Sequence, residues 1–532
     1  MNINISNIAG FFTLVLILLV SGCGGDDSPT GGGDDELTIT SISPISAEVG
    51  GSVVISGAGF SATASENIVT FTGNAKAEVT EASVSELTVI VPEGAQDGPV
   101  TVEVDGSSAS SSASFTVGEG PEIPSVYQGL PGTIIAEDET WANDTTLTGP
   151  HFVLPGVTLT VEEGVEVSFT YHNNVNENVG TIITLPADAQ NFSEPRPSAQ
   201  LVAVGTADNP VVFTSERKQV ASWGGIIMAG EASNNIPGGL GEIEGLEQSV
   251  QYGADIEGGE SFNDEDSSGR LSYVRIEYSG YSIADGSELQ ALTLYSVGSG
   301  TQLDHINLYQ SVDDGIELFG GTVDVKYLVV KGTQDDTFDY DQGWTGRGQF
   351  WVGVQTEGTP SNRGFESDGC ADQANCAGGN GPTSPKIYNV TIYGNDVENG
   401  EDIYGLYLRE GMEGAYGNII IANFNKAPGY PIYVADDGTA DNIGTRLTFG
   451  GIISFGNTDD GSSLPYYADL GLENTDPQFV DPASYNFALQ EGSPALSGGV
   501  TPPDDGFFDQ VSYRGAFDTE DWTREGTWVR WE

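Results

Sequence analysis

A short acidic motif returns with the period of one solenoid turn, and this recurrence constrains the fold more than any other feature of the chain. Asp313-Asp314-Gly315-Ile316-Glu317-Leu318 is followed 22 residues later by Asp335-Asp336-Thr337-Phe338-Asp339-Tyr340. A looser copy, Asn362-Arg363-Gly364-Phe365-Glu366-Ser367-Asp368, places Phe365 27 residues after Phe338. Leu292-Thr293-Leu294 precedes the first copy by 24 residues, and Leu406-Tyr407-Leu408-Arg409 follows Phe365 by 41, one turn with a long loop. A second series keeps step, with Leu303, Ile306 and Leu308 matched by Val325, Leu328 and Val330. Recurrence at about 20–30 residues marks a solenoid. The repeating unit is β-branched and aromatic, punctuated by Gly and Asp, so its segments are strands. The expected fold is a right-handed parallel β-helix.

Side chains alternate faces along a strand. Ile316, Phe338 and Phe365 then enter a core, while Glu317, Asp339 and Glu366 point outward and stack on one another. Like charges at strand spacing repel, so a cation, a basic partner or solvent and salt must compensate them. Ca²⁺ fits such oxygen ligands, with Asp341 and Asp368 as further candidates beside Glu317, Asp339 and Glu366. The alternative is a solvated acidic face screened by salt. Asp264-Glu265-Asp266-Ser267-Ser268-Gly269 also opens like a calcium loop, with oxygens at Asp264, Asp266 and Ser268. Arg275 stands where such a loop needs its bidentate Glu, and the alternative is an acidic turn.

The chain carries 17 Lys plus Arg against 78 Asp plus Glu, a net charge of −61, which excludes a nucleic-acid partner. At 38% hydrophobic it has apolar residues enough for a folded core. Its 73 glycines suit tight corners between short strands.

Phe11–Val20 is an apolar run too short to span a bilayer and suits the core of a signal peptide. It ends in Val20-Ser21-Gly22-Cys23, which resembles the bacterial lipoprotein lipobox, although Met1–Gly10 lacks the usual basic residues. The resemblance implies cleavage after residue 22, acylation of Cys23 and an outer-membrane anchor. Gly24-Gly25-Asp26-Asp27 resembles the surface-export signal of Bacteroidetes-type lipoproteins, with 23–36 as a flexible tether. Cys370 and Cys376 have five residues between them in a polar loop. An exported pair of this kind forms a disulfide, and two thiols without a nearby His make a poor metal site.

Residues 37–117 alternate short strands, Val53–Ile55, Ile68–Phe71, Leu87–Ile90 and Val100–Val104, with Ser/Gly turns. Ile42-Ser43-Pro44, Gly50-Gly51 and Gly57-Ala58-Gly59-Phe60 resemble the IPT/TIG family, which implies an immunoglobulin-like sandwich serving as spacer or interaction module. Residues 118–131 read as a linker and 132–475 as the β-helix. The aromatic segment 476–532 reads as a cap over the open end of the solenoid, with a carbohydrate-stacking platform as its alternative.

The motifs at 313–323 and 335–339, Gly343-Trp344, Ser272–Tyr278 and Tyr513–Phe517 resemble β-helix surface lipoproteins of Bacteroidetes, a family of unestablished activity. Parallel β-helices also host polysaccharide lyases and polygalacturonases, but fold alone does not give function. Asp313 and Asp314 are candidates for acid–base work, and Arg409, then Arg363, for the base of a lyase. None of His151, His172 and His305 lies between two glycines, and no Arg-Ile-Lys occurs, so the polygalacturonase pattern is incomplete. The sequence therefore favours an all-β surface lipoprotein with a non-catalytic binding role toward a glycan or surface protein, supported by Ca²⁺, with Tyr407 and Trp344 as ligand-contacting aromatics. The competing classes are a β-helix carbohydrate-active enzyme and a structural envelope protein.

Overall fold

A computed structural model describes residues 37–532, except 119–120, 172–178, 245–249, 285–286, 357–362, 371–375, 377–380, 395–402 and 426–428. The signal segment, Cys23 and the tether lie outside the described residues. The chain divides into two compact units, one ending at Gly120 and one beginning at Pro121.

In the first unit, the alternation read from the sequence builds two antiparallel sheets. Thr38–Ser43, Ser52–Ala58, Glu86–Ile90 and Glu78–Ala82 form one; Ser107–Val117, Gly98–Val104 and Asn67–Phe71 carry the other. Val53, Ile55, Leu87, Val89, Val100 and Val102 fill the space between them. Phe71 and Phe115 meet edge to face there at 4.9 Å. This is an immunoglobulin-like sandwich.

The second unit is a parallel β-helix. One ten-stranded sheet stacks β1 (Thr133–Ile135), β2 (Pro150–Val153), β3 (Thr181–Thr184), β4 (Ile226–Ala229), β5 (Leu292–Tyr295), β6 (Ile316–Phe319), β7 (Phe338–Asp341), β8 (Arg363–Asp368), β9 (Ile403–Arg409) and β10 (Gly429–Val434) in chain order. The acidic repeat sets the register: Ile316 pairs with Phe338, Phe338 with Phe365 and Phe365 with Leu406. A fifteen-stranded sheet forms the other walls, where Leu303 pairs with Val325, Ile306 with Leu328 and Leu308 with Val330. Phe338 packs between Trp351 and Phe365 at 5.0 and 4.8 Å, in a core that is continuous from Ile135 to Leu470.

Two boundary readings are corrected. Tyr127 and Leu130, within the expected linker, are buried in the solenoid core, and the Tyr127 hydroxyl donates to Asp188 at 2.6 Å. Apolar side chains at the start of a solenoid cover its first rung, so the unit begins before 132. Residues 476–532 do not cap the open end either. They run along the outer flank of the fifteen-stranded sheet, where Phe487, Ala516, Phe517 and Trp528 bury Val329, Val352, Ile420 and Ile453. Outward amides hold this strap: Asn418 donates to Val500 O, Gln349 to Asp509 O, Asn389 to Tyr513 O, and Asn307 accepts from Arg530 N. The Arg530 guanidinium completes it with an ion pair to buried Glu277 at 2.8 Å. Trp528 packs edge-on to Tyr273 and His305 and stacks with Trp522. With Trp528 enclosed in this way, a carbohydrate platform at that ring is excluded.

Candidate metal centre

The outward face of β6 to β10 carries the residues that cannot be explained by packing. Cross-strand register puts Glu317 beside Asp339, Asp339 beside Glu366, Glu366 beside Tyr407 and Tyr407 beside Tyr433. The stack read from the sequence is therefore present, but it is not a solvated face. Glu317 and Glu366 are each only 8% exposed, and Asp336, at the turn before β7, is 1% exposed. At the Glu317 end, part of the cover comes from a segment the repeat gives no hint of. The hairpin Leu240–Glu242 with Gln251–Gly253 lies over the ends of β5 to β7. The Tyr252 hydroxyl donates to Gln342 at 2.6 Å and its ring packs on Tyr295, which stacks on Phe319. Asn234 and Asn235 of the same insertion donate to Ser296 Oγ and to the Gly369 carbonyl.

Burial fixes the electrostatics. Asp314, Glu317, Asp336 and Asp339 are all pushed well above the usual carboxylate range, first by burial and then by neighbouring carboxylates, with Arg363 acting against the shift at Asp336 and Asp339. Asp313 and Asp341 are each pushed up to about 7, with burial again the leading cause. Glu244, next to the hairpin, also rises to about 7 through burial and the neighbouring Glu288, and it adds to the potential at Glu317.

Three carboxylate triads bring ligand oxygens within 4.8 Å of one another: Asp313/Asp314/Asp335, Asp314/Glu317/Asp339 and Asp336/Asp339/Glu366. They differ in what neutralises them. The third holds Arg363, which bridges Asp336 and Glu366, and Arg409 reaches the other Glu366 oxygen at 2.8 Å. Arg409 also clasps Asp368 through two bonds, and this pairing raises its own pKa. The first triad includes exposed Asp335, and Asp313 accepts from Gln290. The middle triad has a single backbone donor, the Asp336 amide to Asp314 at 2.7 Å, and no paired cation among the described residues. Glu317 Oε2 and Asp339 Oδ1 are buried without a hydrogen-bond partner, and among the described residues no arginine or lysine forms an ion pair with Asp314, Glu317 or Asp339. Orphaned buried carboxylate oxygens of this kind fit a hard divalent cation such as Ca²⁺, which takes oxygen ligands.

The other candidates fall elsewhere. Asp341 accepts from the Gln342 amide beside the row. Asp264, Asp266 and Ser268 do not converge on a cation: Asp264 accepts from the Ser233 amide and hydroxyl, Asp266 from Ser198, and Ser268 donates to the Ala229 carbonyl. Those bonds brace the turn before Gly269–Ser279. Trp344 is fully buried and its indole N–H donates to Val323 O, which removes it from any ligand surface. Tyr407 does lie on the outward face, with the Arg363 guanidinium 4.5 Å from its ring centre. It belongs to a four-ring cluster with Tyr404, Tyr430 and Tyr433, which the sequence reading named only in part. Cys370 and Cys376 are joined in a disulfide next to β8.

Residues 132–458 match the family model of a pectate-lyase like beta helix domain, and residues 37–117 match that of the IPT/TIG domain. No curated protein matches the chain. Among solved structures, the pectate lyase Pel9A is 11% identical with a TM-score of 0.33, over 74% of this chain and 87% of that one. An auxiliary nutrient binding protein from Bacteroides ovatus ATCC 8483 is 28% identical with a TM-score of 0.15, over 16% of this chain and 21% of that one. One from Bacteroides thetaiotaomicron VPI-5482 is 22% identical with a TM-score of 0.15 and similar coverage, so the chain spans about a fifth of the length of these Bacteroides proteins.

Proposed function

Given that the chain belongs to the pectate-lyase like β-helix family through residues 132–458, we propose that its ten-stranded sheet is a cation-supported binding face without lyase chemistry. The observation that carries this reading is the middle triad, where Asp314, Glu317 and Asp339 bring ligand oxygens within 4.8 Å of one another and, among the described residues, no guanidinium forms an ion pair with them. These three residues would hold Ca²⁺, and a bound ligand or water would complete its shell of six to eight oxygens. Glu366 and Asp368, also candidates from the sequence, serve the two arginines instead.

The same ion pairs argue against a lyase. Abstracting a proton from a uronate needs a basic group free of carboxylate partners. Arg409 and Arg363 are both held by carboxylates, and the pairing raises the Arg409 pKa, away from a base that works near neutral pH. Asp313 and Asp314 remain as acidic groups, but they face a carboxylate field that repels a polyanionic substrate. The extracellular ligand is a glycan or a surface protein, and the lipobox at Cys23 would tether the chain to the outer membrane for that role.

Calorimetric and thermal titration of chelated protein with Ca²⁺ and then Mg²⁺ tests the reading. A Ca²⁺-selective gain in stability that disappears in Glu317→Gln/Asp339→Asn supports it. An unchanged titration in that double variant would sink it. Release of unsaturated or reducing ends from a polysaccharide panel would place the protein with the enzymes instead.

A further inference from the structure

The outward face does not stop at the carboxylates. Tyr404 and Tyr407 on β9 pair in register with Tyr430 and Tyr433 on β10. Their rings form one cluster: Tyr407 stacks on Tyr433 at 5.9 Å and 8°, Tyr404 on Tyr430 at 6.0 Å and 16°, and Tyr404 touches Tyr407 and Tyr433 at 5.0 Å each. All four are only half-buried. The reason for their outward placement is local. Leu406, Leu408, Ile432 and Val434 take the inward positions of the two strands and enter the solenoid core. Packing alone does not call for four large rings on the opposite face of adjacent strands.

We infer that this cluster is a stacking platform for a neutral oligosaccharide. The inference rests on the cation-supported binding reading and assigns it a ligand class. Three properties select the occupant. An aromatic ring with a phenol hydroxyl offers an apolar face and a polar edge, which matches a sugar ring with its C–H faces and peripheral hydroxyls. Both guanidiniums beside the platform, those of Arg363 and Arg409, are already neutralised by Asp336, Glu366 and Asp368. Among the described residues, a carboxylated or sulfated glycan would therefore meet no uncommitted positive charge there, and it would meet the acidic row next door. Finally, the phenol oxygens at the edge of the platform accept hydrogen bonds as well as donate them. A neutral glycan brings many O–H donors to them. A proline-rich peptide, the other partner that aromatic grooves take, lacks even the amide donor at each proline.

Affinity electrophoresis and calorimetry of the full-length protein against neutral oligosaccharides, polygalacturonate and a polyproline peptide provide the test. Neutral oligosaccharides should be retained, and Tyr433→Ala and Tyr407→Ala should each weaken retention about tenfold. Tyr433→Phe, which keeps the ring, should hold most of the binding and serves if the alanine variant fails to fold. Ca²⁺ titration of Tyr433→Ala should match that of the wild type. Retention of polygalacturonate or polyproline in place of neutral sugars overturns the proposal. So does neutral-glycan binding that survives both alanine substitutions, or a failure of every neutral glycan to bind. In each of those cases a normal Ca²⁺ titration leaves the metal centre standing, whereas a Ca²⁺ response unaltered by Glu317→Gln/Asp339→Asn removes the metal centre alone.

Discussion

Replacing Glu317 with Gln should change stability in opposite directions with and without calcium. Ligand oxygens of Asp314, Glu317 and Asp339 lie within 4.8 Å of one another and are buried. Two unit charges at that separation repel by about 3.5 kcal/mol at an effective dielectric of ~20. Without metal, the wild type meets this cost either as repulsion or by taking up a proton at a pH where water would not supply one. Glutamine is spared both, but its buried amide costs about 1–3 kcal/mol if left without a partner. The balance is a gain of about 0.5–2.5 kcal/mol, a rise of roughly 0.5–3 °C in Tm for a unit of this size. Calcium reverses the order, because the wild type gains about 2.7 kcal/mol at a hundredfold excess over Kd, and the variant, one carboxylate short, gains less. Thermal melts at pH 8 in chelator and in excess Ca²⁺ read both arms. A variant less stable than the wild type in chelator and in calcium by the same amount would refute the reasoning, since Glu317 would then be a packing residue.

Three further outcomes follow from the same structure. In chelator, stability should fall as pH rises from about 4 to about 7: the unfolded Asp titrates near 3.9 while Asp313 and Asp341 rise to about 7, so the folded chain holds more protons across that window. Urea midpoints at pH 5 and pH 8 should show the drop, and saturating Ca²⁺ should reduce it; a midpoint that rises with pH would contradict the burial of the row. Arg363→Met strips the cation from buried Asp336 and Glu366 and should cost about 3–5 kcal/mol in chelator, with part of the loss restored by Ca²⁺, as measured by urea unfolding. Trp344→Ala should cost about 3–5 kcal/mol through its cavity with no change in ligand affinity beyond the unfolded fraction; a selective affinity loss in calorimetry would return Trp344 to the binding surface.

The registers of the solenoid were legible because they depend on local spacing. Ile316, Phe338 and Phe365 repeat at intervals set by one turn, and the structure pairs them as read. The environment of the acidic row was not legible, because it depends on contacts between distant segments. Tyr252 reaches Gln342 across 90 residues, and the hairpin that carries it lies outside the repeating strands. Trp344 misled for a local reason. Gln342 and Gly343 both adopt positive φ, at 53° and 86°, which turns the indole inward after a run of polar residues. Without the three-dimensional structure, Gly-Trp after an acidic strand reads as an exposed aromatic. The division of carboxylates between arginines and cation was equally hidden: sequence order makes Glu317 and Glu366 equivalent, and only the side-chain reach of Arg363 and Arg409 separates them.

The strap along the flank changes what kind of folding unit the solenoid is. A stack of rungs is quasi-one-dimensional: each turn contacts its neighbours, and terminal turns can open without disturbing distant ones. Residues 500–530 tie that stack together lengthwise, from Asn418 through Asn389, Gln349 and Asn307 to Asp208, the last contact joining residues 319 apart in sequence. Opening an early or a late turn therefore strains the same ribbon, which suppresses independent fraying and raises cooperativity. It also couples the protection of early and late turns, so hydrogen-exchange rates across the fifteen-stranded sheet should spread apart, fastest at the terminal turns, when Trp528→Ala releases the ribbon.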